Sequence, residues 1–182
     1  PFDMDKAQYL FTEAIESSNE PDGFYGLANV LLAKTSMKIM GHSDPAARKQ
    51  AAQEALVSPL VLEAIVHLEE AARGGHVFAM FNLGISHLYG YGQTDGRRDP
   101  DLAAEWFEAS GLPEGLFAKS LHASSVGRKD EAEMWRSRAS VLGFGSSWRK
   151  QARERTGSGG SSGAKLNLKW PPLPTGETPQ EF

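Results

Sequence analysis

Apolar residues recur at three- and four-residue spacing through most of this chain, the period of helices that bury one face. Between Met4 and Ser17 they fall at Ala7, Leu10, Phe11, Ala14 and Ile15, with Asp3 or Asp5 available to cap the start. From Gly23 to Met37 they fall at Phe24, Tyr25, Leu27, Ala28, Leu31 and Leu32, after a turn at Asn19-Glu20-Pro21-Asp22. Gly41-His42-Ser43-Asp44-Pro45 breaks the pattern, and residues 46–56 have good helix propensity but a thin apolar stripe, so they read as an inserted, partly exposed helix. Ser58-Pro59 opens a helix that Gly74-Gly75 stops at Arg73. Helices are then predicted over Val77–Leu88, Asp101–Ser110, Pro113–Val126, Asp130–Leu142 and about Ser146–Arg155. The predicted class is all-α.

The helices repeat. Ala7, Ala64, Ala103 and Ala132 begin equivalent registers, separated by 57, 39 and 29 residues. The first gap is long by about the size of the insertion, and the last is short because the turn before Asp130 is cut down. Within the middle unit stand Ala64, Leu83-Gly84, Gly90-Tyr91-Gly92, Asp99-Pro100 and Ala103-Ala104-Glu105-Trp106-Phe107. That order resembles the Sel1-like repeat, a helical-hairpin relative of the tetratricopeptide repeat. The resemblance covers about Met4 to Arg155, with His67 and His87 at positions the family fills with aromatic residues and Ser110-Gly111 at its paired alanines. It implies a right-handed α-solenoid of about three hairpins plus the inserted helix over residues 1–156, each hairpin touching its neighbours. It also implies a protein-interaction adaptor or scaffold with no catalysis of its own; the alternative is a helical docking module of a larger enzyme or regulatory complex. The first helix matches the second helix of a repeat, so the chain opens halfway through a hairpin and, lacking an initial Met, reads as an excised piece.

Character changes abruptly at Gly157. Residues 157–163, Gly-Ser-Gly-Gly-Ser-Ser-Gly, have the composition of a flexible linker of engineered type. Residues 164–182 are too rich in proline for helix or sheet and too apolar for an inert tail. In an extended strand Leu166, Leu168 and Trp170 share one side, and Trp170-Pro171-Pro172-Leu173-Pro174 favours polyproline II. This segment reads as a partner's short linear motif fused to the repeats, with Leu166, Leu168, Trp170, Pro171, Pro172 and Leu173 as its anchors.

Composition narrows the partner class. About 40% of the 182 residues are apolar, enough for one substantial core. A formal charge of -4 offers no basic stripe for phosphates, which argues against nucleic acid. No apolar run reaches the roughly 18 residues a membrane helix needs, so no direct membrane insertion is expected. With no Cys there is no disulfide or thiolate chemistry, which fits a reducing compartment such as the cytoplasm and leaves an organelle open. His42, His67, His76, His87 and His122 show no metal-ligand spacing, and Gly90-Tyr91-Gly92 follows a helix rather than a strand, so no catalytic residue, metal or cofactor is expected.

The candidate binding residues come from the repeat register. If Leu83, Gly84 and His87 face the partner helix of their hairpin, then Phe78, Phe81, Asn82, Ile85 and Tyr89 turn toward the concave side. The same register contributes Tyr25 and Asn29 from the preceding hairpin and Phe117 and Leu121 from the following one. A contiguous apolar patch there marks a partner site.

Overall fold

The computed structural model describes residues 3–93 and 95–145. Among these residues there are eight helices and no strands: α1 (Met4–Ser18), α2 (Pro21–Met40), α3 (Pro45–Ala55), α4 (Pro59–Arg73), α5 (Val77–Tyr89), α6 (Pro100–Ser110), α7 (Pro113–Ser125) and α8 (Lys129–Val141). The predicted helix over 146–155, the linker 157–163 and the segment 164–182 lie outside the described residues.

Local chemistry places the boundaries. Pro21, Pro45, Pro59, Pro100 and Pro113 each begin a helix, where the missing N–H costs nothing. Asp3, Asp44, Ser58 and Asp99 accept from first-turn backbone N–H groups, in the case of Asp44 from Ala47 at 2.8 Å. Gly75 adopts φ +90° in the turn after α4, a conformation cheap only for glycine. Helix α2 runs three residues beyond the predicted Met37. The extra turn brings Ile39 onto Ala52 and Ala55 of α3, where all three are buried.

The hairpins are α2/α4, α5/α6 and α7/α8, and α1 on α2, α4 on α5 and α6 on α7 stack them in chain order. This is an α-solenoid, with α3 inserted between the two helices of its first hairpin. One core joins α2, α4 and α5 through Leu27, Leu31, Val61, Ala64, Leu68, Ala79 and Leu83. Smaller cores follow, at Ile85, Ala103 and Phe107 for the second hairpin and at Leu116, Trp135 and Ala139 for the third. Small residues set the spacing: a Cβ on Gly84 would stand 2.6 Å from the Phe107 ring and 3.2 Å from the Ala103 carbonyl.

The segment after α5 serves packing. Gly90 ends the helix in the left-handed conformation, and Gly92 N–H donates to the Leu56 carbonyl at 2.8 Å, tying this loop to the α3–α4 turn. Tyr91 packs against the main core, and burial pushes its hydroxyl well above the usual tyrosine range.

Candidate peptide-binding face

Three first helices, α2, α5 and α7, carry the sequence-predicted binding residues, and the structure divides those residues into surface and interior. Phe78 is 51% exposed and Leu121 41%. Tyr25, Asn29, Phe81, Tyr89 and Phe117 are half-buried.

Ile85 and Asn82 are corrections to the expected surface set, at 4% and 5% exposed. Helix α7 stacks closely enough on the second hairpin for Ala118 to pack against Ile85, Ala103 and Phe107, which closes this part of α5 off from solvent. Phe81 is drawn into the same cluster, its ring 5.4 Å from Phe107 at 49°. Tyr89 lies against Tyr91 with centroids 6.4 Å apart, and burial raises its hydroxyl above the usual value.

An aromatic cluster joins α2 to α5. Tyr25 stacks on His76 and lies 6.3 Å from Phe78, while His76 lies 6.0 Å from Phe78. His76 was not among the residues expected here. It occupies the N-cap of α5, where its Nδ1 accepts from the Ala79 N–H at 3.1 Å. An accepting Nδ1 puts the proton of the neutral ring on Nε2, which faces the exposed carboxylate of Asp22 at 3.6 Å. The available signal was its place after Gly74-Gly75, where a cap must accept a hydrogen bond.

One turn beyond Phe78, the buried Nδ2 of Asn82 has no hydrogen-bond partner among the described residues. Such groups are rare in folded proteins because an unpaired buried donor costs roughly 1–3 kcal/mol. The Asn82 backbone carbonyl is satisfied, accepting from Ser86 Oγ at 2.9 Å.

On α7 the Phe117 ring stacks on Phe144, centroids 4.2 Å apart and planes 17° apart. Leu121 stands one turn further along, and Lys119 between them turns to the other side, pairing with Glu108 and lying 4.5 Å over the Trp135 ring. His122 Nε2 meets Asp101 Oδ1 at 2.9 Å, and His67 packs near Phe24. Among the described residues no three His, Cys, Asp or Glu side chains cluster as metal ligands, and no single helix is long and apolar enough to cross a membrane.

The ligand-side residues Leu166, Leu168, Trp170, Pro171, Pro172 and Leu173 lie outside the described residues. The family model described as Sel1 repeat matches residues 1–19 and 77–111. The second match covers the whole α5/α6 hairpin, the one with neither an insertion nor a shortened turn. Comparison with curated proteins and with solved structures gave no match.

Proposed function

Since this chain is a Sel1-like repeat protein, and Sel1 repeats mediate protein–protein interaction, we propose that it is a non-catalytic adaptor whose inner face binds a short extended segment of a partner, rich in Leu, Trp and Pro. The observation that carries this reading is the exposed Phe78 ring, held beside Tyr25 and His76. An aromatic cluster open on one side suits a ligand that offers an apolar ring or a proline. Tyr25, Asn29, Phe117 and Leu121 extend the face to either side; Ile85 supports it from beneath.

The segment 164–182 has the chemistry such a face would take. A tryptophan buries roughly 150–250 Å², a gross gain of roughly 4–6 kcal/mol at ~25 cal/mol/Å². Ordering costs offset much of it, while prolines reduce those costs because φ is already fixed. Leu166, Leu168 and Leu173 would add roughly 1.5–3 kcal/mol each on burial, and a net gain of about 8 kcal/mol corresponds to a micromolar dissociation constant.

The test is a titration of a labelled 164–182 peptide onto the Trp170→Ala chain, whose own segment no longer competes. Saturable binding at micromolar concentration, weakened at least tenfold by Phe78→Ala, is the expected result. Absence of saturable binding rejects the reading.

A further inference from the structure

We propose that the cluster of Tyr25, His76 and Phe78, with the Asp22 carboxylate at its edge, is a cation site that takes a lysine or arginine side chain of the bound partner. This rests on the binding reading above and adds to it a charge requirement: the partner segment must carry a basic residue close to its apolar anchor.

The rings supply one half of such a site. Centroid distances of 4.0 Å for Tyr25 and His76, 6.0 Å for His76 and Phe78, and 6.3 Å for Tyr25 and Phe78 gather three π-systems into one group, and Phe78 remains half exposed. Aromatic faces are negative and attract an ammonium or guanidinium held within about 6 Å of a ring centroid. A purely apolar anchor gains nothing from charge nearby, so the groups around the rings decide which ligand is favoured.

The other half is unspent negative charge. Asp22 stands in the first turn of α2 with its side chain 92% exposed, and among the described residues its ionic neighbour is His76 Nε2 at 3.6 Å, too far for a strong hydrogen bond. Because His76 Nδ1 accepts from the Ala79 N–H, the ring beside Asp22 is neutral and does not cancel the carboxylate. Glu20, exposed at the N-cap of α2, makes no capping hydrogen bond with its side chain. Arg73, which ends α4, is held by Glu70. Helices α2 and α5 both begin at this corner, and each N-terminus carries roughly half a positive charge, so the Glu20 and Asp22 carboxylates leave the corner negative by about one charge. A cation is favoured there and an anion is not.

The candidate ligand has the matching charge. Residues 164–182 include Lys165 beside Leu166 and Lys169 between Leu168 and Trp170. A basic side chain next to an apolar anchor can lay its methylenes along the Phe78 ring while its charge turns toward Asp22.

The experiment extends the titration above. The labelled 164–182 peptide is compared with one carrying Lys165→Gln and Lys169→Gln, each on the Trp170→Ala chain and on that chain with Asp22→Asn added, helix content being checked by circular dichroism. Removing the peptide charges is expected to weaken binding about three- to tenfold where Asp22 is present and by under about twofold in Asp22→Asn. Raising NaCl from about 20 to about 500 mM should shrink the first difference. Asp22→Lys provides the second variant and should reverse the preference, so that the glutamine peptide binds more tightly than the natural one. Equal weakening on the Asp22 and Asp22→Asn proteins, or none on either, overturns the cation site, as does an unchanged preference in Asp22→Lys; if Phe78→Ala still weakens binding, the binding face stands without it. A natural peptide that binds none of these proteins overturns both.

Discussion

Tyr25 and His76 stack with ring centroids 4.0 Å apart and planes inclined by 27°. The same relationship recurs two hairpins on, where Phe117 carries Phe144. In both places a ring on a first helix is covered by the ring that follows a left-handed glycine, Gly75 at φ +90° or Gly143 at φ +95°. The turn that ends one hairpin therefore also covers a ring on that hairpin's first helix.

His76 joins two tasks, capping α5 and covering Tyr25. His76→Ala removes both, and the expected loss is about 1–2 kcal/mol in urea unfolding. His76→Asn restores an accepting cap without the ring and should recover about half of that. Equal stability of all three proteins would show the contact to be incidental.

Phe78 and Ile85 should behave oppositely despite lying two turns apart on one helix. Ile85→Ala opens a cavity and is expected to cost about 2–4 kcal/mol. Phe78→Ala leaves stability within about 0.5 kcal/mol while weakening peptide binding at least tenfold. Denaturation midpoints and a peptide titration on the same preparations separate the two effects.

Gly84 permits the closest helix approach in the second hairpin. In Gly84→Ala the new methyl meets a buried ring on one side and a carbonyl on the other, and the overpacking outweighs the gain in helix propensity of about 1 kcal/mol. A net loss of about 1–2 kcal/mol is expected, read as a lower melting temperature. A neutral or stabilising result would mean that α5 and α6 can move apart without cost.

His87 gives a pH signature. Burial holds its imidazole below the usual 6.5, against the opposing pull of the Asp99 and Glu69 carboxylates. The unfolded chain then binds that proton more readily than the folded one, so stability is full above about pH 6.5 and declines as pH falls through the range just below it. His87→Phe should remove this component: the wild-type minus variant difference in melting temperature shrinks between about pH 7.5 and pH 5.5. A constant difference would place the imidazole in water in the folded state.

Helix α3 should open well before α4. Its main support is α2, through Ile39, Ala52 and Ala55, away from the main core. Amide exchange in residues 45–55 is expected to run at least tenfold faster than in α4, whose Leu68 and Ala71 are wholly buried.

Most of the fold was legible because helix periodicity, N-terminal prolines and the Gly74-Gly75 stop are local signals that tertiary packing had no reason to overrule. The inserted α3 was readable for the opposite reason, its lack of a broad apolar stripe. The binding face was legible only in part. Register placed Phe78 and Leu121 on the surface but could not say how tightly α7 would close on the second hairpin, where Ala118 packs against the Ile85 cluster. His76 escaped notice because its role depends on a stack with Tyr25, 51 positions earlier in the chain.

The helices pack more extensively within each hairpin than across the seams between hairpins. Pulled at its ends, such a molecule would part first at the α6/α7 seam, because the α4/α5 seam runs through the main core that joins α2, α4 and α5. A small change of angle at that seam would swing the last hairpin as a unit, giving this chain the compliance of a hinge rather than the fixed shape of a mould.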